Sequence, residues 1–180
     1  MSKNVPVSRR KFVVSALSAA ALGATPPPAF SAPVSRAADR EPQLKLTPYL
    51  LFDGTCADAM RFYQSVFGGE LNVSKVKDSV MKNQMPPFQQ DKVLNARLQS
   101  AGVEFSASDW LRPDEARVRG NTVCLYLRGG TRPQLKTLFE KLSDGAQVTD
   151  PLKAQPFGTY GALNDKFGVR WMFWTNEKGA

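Results

Sequence analysis

The sequence predicts an α+β fold built from two similar halves, each with the order β-α-β-β-β. Apolar residues recur at helical spacing in residues 56–67 and again in residues 132–142. A short apolar strand precedes each of these helices, and three strand-like segments follow each of them. The two halves repeat the order of the elements more than the residues themselves.

In the first half, residues 46–52 form a short apolar strand that ends at Asp53-Gly54, and Thr55 is a plausible N-cap of the helix that follows. Gly68-Gly69 ends this helix. Between the later strands, residues 82–92 are rich in Gln and Pro and are predicted to form a mobile loop. The three later strands are predicted at residues 70–77, 93–99 and 103–108.

The second half repeats this order. Its first strand is predicted at residues 122–127, and Gly129-Gly130 forms a turn before the helix. Trp171 and Phe173 are predicted to pack beneath the helices. The three later strands are predicted at residues 146–149, 160–164 and 169–174.

The first 43 residues are predicted to contain an export signal and a linker. Ser8-Arg9-Arg10-Lys11-Phe12 resembles the bacterial twin-arginine export signal, and the alanine-rich run after it is shorter than the ~20 apolar residues that span a bilayer. We expect a periplasmic or secreted protein that meets a membrane only during export; a basic tail kept in the cytosol is the alternative. The predicted parts are a signal peptide at 1–31 (cleavage as late as 37), a disordered linker at 32–43 and a domain at 44–176, with modules at about 44–110 and 120–176.

The net charge of +8 does not indicate a nucleic-acid partner. Four of the 24 basic residues and none of the 16 acidic ones lie in residues 1–31, so the remainder carries only +4. It contains no basic repeat, no zinc-finger spacing and no basic stripe interleaved with aromatic residues.

The chain contains no histidine. Histidine is the commonest metal ligand and the usual general base near neutral pH, so most zinc sites and all Ser-His and Cys-His pairs are excluded. Two cysteines, Cys56 and Cys124, leave one disulfide open, although we favour a buried free thiol at Cys124.

Two segments resemble the PhnB-like branch of the vicinal oxygen chelate superfamily, which includes glyoxalases, bleomycin-resistance proteins and extradiol dioxygenases. The first is TPYLLFDG with CADAMRFY and VFGG, at residues 47–69, and the second is YGALNDKFGVRWM, at residues 160–172. The resemblance covers about residues 44–175. It implies paired βαβββ modules that form a cupped mixed sheet with flanking helices, and a homodimer.

Members of this superfamily that use a metal hold a divalent ion with up to four side chains inside the cup. By this resemblance, the four positions correspond to Pro48, Asn95, Thr122 and Met172 of this chain. Proline has no ligating group and a thioether is a poor ligand for a hard ion, so only two neutral oxygens remain. We therefore expect no metal and no cofactor.

Strand alternation then indicates which side chains line the cup. The predicted alternation turns Leu50, Phe52 and Cys124 toward the cup. The guanidinium groups of Arg97 and Arg170 favour a carboxylate or phosphate-like ligand there. Alternatively, the two arginines pair with Glu104, Asp109 or Asp165 and fill the cup. The candidate ligand-binding residues are Asn95, Arg97, Thr122, Tyr126, Arg170 and Met172, with Tyr160 and Trp110 at the rim.

These observations leave three hypotheses. The first is an exported, metal-free domain that binds a small, anionic or amphipathic molecule in the cup. The second is an enzyme of the lyase, isomerase or dioxygenase type with a non-standard or absent metal site, in which Arg97 or Tyr160 polarises a substrate. The third is a structural or interaction module whose cup is filled by its own side chains.

Overall fold

A computed structural model describes residues 44–118 and 120–177, which belong to one compact unit that begins at Leu44. The predicted signal peptide and linker lie outside the described residues. Within the described part, no helix is long and apolar enough to cross a membrane.

The first half forms a four-stranded mixed sheet. Its strands have the spatial order β1-β4-β3-β2, with β1 parallel to β4 and the other pairs antiparallel. The elements are β1 (Tyr49–Phe52), α1 (Cys56–Phe67), β2 (Glu70–Lys75), β3 (Val93–Ser100) and β4 (Val103–Asp109).

The second half has the same topology. Its strand order is β5-β8-β7-β6, with β5 parallel to β8 and the remaining pairs antiparallel. The predicted pair of βαβββ modules is therefore confirmed. The elements are β5 (Leu125–Arg128), α2 (Arg132–Leu142), β6 (Gln147–Gln155), β7 (Gly158–Asn164) and β8 (Arg170–Thr175).

Three predicted strand bounds are wrong. β1 begins at Tyr49 rather than at residue 46. β5 begins at Leu125 rather than at residue 122, because its pairing with β8 starts there. β6 continues to Gln155 instead of ending at residue 149, and its pairing with β7 shifts register on both sides of Asp150. An irregular strand of this kind loses the strict alternation from which strands are predicted.

The predicted loop at residues 82–92 has local structure. It contains two 3-10 helices, Lys82–Gln84 and Pro87–Gln89. The side-chain amide of Gln90 donates hydrogen bonds to the carbonyls of Lys82 and Met85. Glutamine side chains thus bind the backbone of this segment to itself.

The start of α1 is capped from another strand. Thr55 occupies the N-cap position, but its side chain makes no capping hydrogen bond. Instead, the buried carboxylate of Asp109, the last residue of β4, accepts from the backbone N–H of Cys56 at 3.0 Å and from that of Val93 at 2.8 Å. A carboxylate at this place satisfies a free helix donor and complements the helix dipole.

The helix faces of both sheets enclose one core. Trp171 of β8 is 1% exposed, and its ring contacts those of Tyr63 and Phe67 of α1 and Phe105 of β4. The predicted burial of Trp171 and Phe173 is confirmed, since both lie in this core. A residue of the second half thus packs against the helix and sheet of the first.

The two cysteines are free thiols in different surroundings. Cys56 is fully buried in the core, and this burial, with Asp109 nearby, raises the pKa of its thiol to about 12. Cys124 is a free thiol, as expected, but its side chain is half-buried rather than buried.

A buried carboxylate connects the halves. Asp165 is 4% exposed and lies in the turn between β7 and β8. Its Oδ2 accepts from the hydroxyl of Tyr63 at 2.7 Å and from the indole N–H of Trp171 at 2.8 Å. Its Oδ1 accepts from the backbone N–H groups of Phe167 and Val169, each at 2.9 Å. Four donors compensate for burying the charge.

We predict that Asp165→Asn lowers the free energy of unfolding by about 2 kcal/mol or more, because the new amide group faces two donors and leaves the Trp171 N–H unpaired. Chemical denaturation measures the change. Asp144→Asn is the matched control, since Asp144 is an exposed partner of Lys166 and such pairs contribute little. Equal effects of the two substitutions would contradict the structural role of Asp165.

Candidate functional site

Each sheet has one face toward the helices and one face turned away from them, which we call the cup face. In β8, Trp171 and Phe173 are buried toward the helices, so the residues between them lie on the opposite face. The cup face of β8 therefore carries Arg170, Met172 and Trp174, all half-buried.

The strand register groups several predicted site residues on this face. Tyr126 of β5 and Ala162 of β7 pair with Met172. Tyr160 of β7 pairs with Trp174, two residues along β8. Because paired residues of neighbouring strands project to the same side, four predicted residues lie together on the cup face of the second sheet. They are Tyr126, Tyr160, Arg170 and Met172.

Arg170 has no internal counter-ion within the described residues. None of the ion pairs found among residues 44–118 and 120–177 includes its guanidinium group. The charge of Arg170 acts on the Tyr160 hydroxyl. Burial raises the pKa of this hydroxyl and Asp150 raises it further, whereas Arg170 lowers it. Arg170 is a half-buried cation beside a phenol, which is a suitable place for an anion.

Arg97, by contrast, is already paired. Asn95 and Arg97 lie on the cup face of the first sheet and are exposed. The Arg97 guanidinium binds Glu104 at 2.7 Å, and Lys45 binds the same carboxylate. Hydrogen bonds from Lys45 and Arg97 hold the pKa of Glu104 below its ordinary value. Arg97 thus has an internal counter-ion, which it shares with Lys45.

The predicted orientation of β1 is wrong. Phe52 is 2% exposed in the core and Leu50 packs against the core, so neither lines the cup. Tyr49 and Leu51 occupy the cup face, with Tyr49 opposite Ser106 and its hydroxyl 3.5 Å from Oδ1 of Asn95. The side chains of β1 alternate in the opposite sense to the predicted one, because Phe52 packs in the core just before α1.

Two predicted residues lie outside the strands. Thr122 is exposed and precedes β5, so strand alternation does not orient it. Trp110 follows β4, and its indole N–H donates to the carbonyl of Glu115 at 2.8 Å. Trp110 lines a groove of about 360 Å³ together with Leu51 and Ser108, two residues of the cup face.

The residues at the superfamily's metal positions do not fit a divalent ion. Pro48 offers no donor, Thr122 lies outside the strand, and Met172 presents a thioether, leaving only the amide oxygen of Asn95. Within the described residues, no group of three or more His, Cys, Asp or Glu side chains could hold a metal ion. We derive no metal-dependent step.

Trp174, Tyr49 and Leu51 are among the cup-face residues that were not predicted. Trp174 follows from alternation, since Arg170 and Met172 already define its side of β8. Leu51 depends on which residue of β1 enters the core, and its uniformly apolar sequence does not reveal that.

Comparison with known proteins agrees with this architecture. A profile of the family described as 3-demethylubiquinone-9 3-methyltransferase matches residues 44–173. Protein YjdN of Escherichia coli K12 is 28% identical over 144 residues, covering 72% of this chain and 93% of YjdN.

Two solved structures show similarity in both sequence and fold. Protein PA1353 from Pseudomonas aeruginosa has 29% identity and a TM-score of 0.67, covering 76% of this chain and all of PA1353. A putative 3-demethylubiquinone-9 3-methyltransferase, PhnB protein, from Bacillus cereus has 27% identity and a TM-score of 0.59, covering 73% of this chain and 99% of that protein.

At the level of fold alone, the chain also resembles a glyoxylase/bleomycin resistance protein/dioxygenase domain from Frankia. The identity is 14% and the TM-score 0.52, over 77% of this chain and 96% of that domain. The family profile covers most of the chain, and the paired modules have the corresponding topology. The chain therefore belongs to the family described as 3-demethylubiquinone-9 3-methyltransferase, and its fold agrees with the resemblance to the PhnB-like branch of the vicinal oxygen chelate superfamily.

Proposed function

We propose that this protein binds a small organic anion on the cup face of its second sheet, without a divalent metal ion. The observation that carries the proposal is Arg170, a half-buried guanidinium with no carboxylate partner among the described residues. Partial burial of an unpaired cation is unfavourable in the free protein, and an anionic ligand would remove that cost.

The side chains around Arg170 favour a ligand with a flat apolar part. Tyr126 and Tyr160 present aromatic rings on the same face, and Met172 lies between their strands. Aromatic and thioether surfaces bind planar apolar groups, while a guanidinium group binds a carboxylate through two parallel hydrogen bonds. An aromatic carboxylate combines both features.

The carboxylates expected to pair with Arg170 are bound by other groups of the described residues. Asp109 binds the backbone of Cys56 and Val93, and Asp165 binds four donors in its own turn and the core. Glu104 is taken by Arg97 and Lys45. The alternative in which the arginines fill the cup with internal pairs thus has support at Arg97 and none at Arg170.

We predict that benzoate stabilises the wild-type protein in thermal-shift and calorimetric titrations, and that the uncharged analogue benzamide does so more weakly. Arg170→Gln should weaken benzoate binding about tenfold or more, because it removes the charge-assisted pair. Arg170→Lys keeps the charge but not the bidentate geometry, so its affinity for benzoate should lie between those of the wild type and Arg170→Gln.

Arg97→Gln is the matched control for this experiment. Its guanidinium lies on the cup face of the other sheet and is already paired with Glu104, so benzoate affinity should stay within about twofold of the wild type. Equal losses in the Arg97 and Arg170 variants, or equal binding of benzoate and benzamide, would reject Arg170 as the anion anchor.

We also propose that the protein is a homodimer. Apolar side chains of β1 and the segment before it are exposed, among them Leu46, Tyr49 and Leu51. Exposed apolar clusters favour association. Sedimentation equilibrium should give twice the chain mass, and Leu51→Glu should shift the protein toward the monomer. A wild-type protein that stays monomeric at millimolar concentration would contradict the dimer.

We further propose twin-arginine export, which the Arg9-Arg10 pair and the following apolar run support. The double substitution Arg9→Lys/Arg10→Lys should retain the protein in the cytoplasm of a bacterial host. Fractionation followed by immunoblotting measures its compartment. An unchanged distribution would refute the export route.

A further inference from the structure

Two sulfur atoms, one just before β5 and one on β8, meet on the cup face of the second sheet. Sγ of Cys124 lies 3.1 Å from Sδ of Met172. Cys124 immediately precedes β5, and the parallel pairing of Leu125 with Trp171 and of Tyr126 with Met172 brings its thiol to β8. The contact therefore follows from the sheet register and joins residues 48 positions apart.

Both sulfur atoms belong to half-buried side chains on this open face. Residue 162, which pairs with Met172 on the neighbouring strand, is alanine and takes up little space beside the thioether. Methionine has three rotatable side-chain bonds and adapts its shape readily. The two sulfurs can therefore move apart to admit an ion between them.

A thiolate and a thioether together form a soft donor set. Sulfur ligands of this kind select Cu(I), whereas hard divalent ions require carboxylate, carbonyl or water oxygens. The thioether that excludes Met172 from a divalent-metal site thus suits a soft ion. This donor set differs from that of the superfamily's divalent-metal site and does not involve Arg170.

We propose that Cys124 and Met172 form a binding site for Cu(I) on the cup face of the second sheet. On binding, the Cys124 thiol releases its proton to water and the thiolate bonds to the ion, while Met172 donates a sulfur lone pair. No electron is transferred, because copper enters and remains as Cu(I).

The other thiol of the chain does not compete for the ion. Cys56 is fully buried, and its amide is bound to the Asp109 carboxylate at the start of α1. Its pKa of about 12 keeps the thiol protonated near neutral pH. A stoichiometry of one Cu(I) per chain is therefore expected.

The test titrates the reduced full chain with Cu(I) under anaerobic conditions, in competition with the chromophoric chelator bicinchoninate. Wild-type protein should bind one Cu(I) per chain. Cys124→Ser should weaken binding at least a hundredfold, and Met172→Leu, which keeps the apolar volume, should weaken it about tenfold. Arg170→Gln should leave Cu(I) affinity within about twofold, which separates this site from the anion site.

Met85→Leu is the matched control, because Met85 is also half-buried but lies in the segment between β2 and β3. It should bind Cu(I) as the wild type does. Circular dichroism checks that each variant is folded. If Cys124→Ser does not fold, X-ray absorption of the Cu(I)-loaded wild type replaces it and should show two sulfur ligands.

Three results would overturn the proposal. The first is binding of far less than one Cu(I) per chain at a ratio of copper to chelator that loads ordinary thiol sites. The second is equal affinity of Met172→Leu and Met85→Leu, which would mean that Cys124 acts as an isolated thiol. The third is a copper spectrum with nitrogen or oxygen ligands.

Discussion

The buried carboxylate of Asp165 is the constraint on which the rest of the structure depends. It binds Tyr63 of α1 and the indole of Trp171 while it closes the turn that leads into β8. Val169 and Trp171 are both held by this carboxylate, so Arg170 between them has a fixed place and direction. One interaction thus connects the two halves, orients β8 and sets the cup face. Asp109 has a comparable role at the end of β4, where it fixes the start of α1.

The two sheets share a topology but have cup faces of different chemistry. On the first, Arg97 is paired with Glu104, and Asn95 has the Tyr49 hydroxyl nearby. On the second, a guanidinium without a carboxylate partner among the described residues, two tyrosines and two sulfur atoms lie close together. Of the positions that the resemblance assigns to a divalent ion, only Asn95 offers an oxygen donor from within a strand, so chemistry that depends on that ion has no support among the described residues. The remaining groups suit an organic anion, whose charge would be bound by the Arg170 guanidinium, and a soft cation, which the two sulfur atoms would bind.

Local patterns predicted the helices well, because helical spacing marks the extent of α1, Gly68-Gly69 follows its last residue, and Thr131 with Gln134 caps the start of α2. Strand ends were less accurate, since β5 and β6 are bounded by pairing partners far away in sequence. The orientation of β1 could not be predicted, because YLLF is apolar on both faces. The pairing of Arg97 with Glu104 was one of the alternatives that the sequence offered, and it forms because the two residues are diagonal neighbours across the short turn between β3 and β4. The contact between Cys124 and Met172 required the parallel register of β5 and β8, which sequence alone does not give.

The central claim is that Arg170 is an open anion site and not part of a filled cup. A crystal structure of the protein grown with benzoate tests this most directly, because it shows the guanidinium and its partner together. We predict electron density for the carboxylate against the Arg170 guanidinium, with the ring between Tyr126 and Tyr160. An Arg170 side chain paired with Asp150 or another carboxylate of the chain, with no benzoate density on the cup face, would contradict the claim.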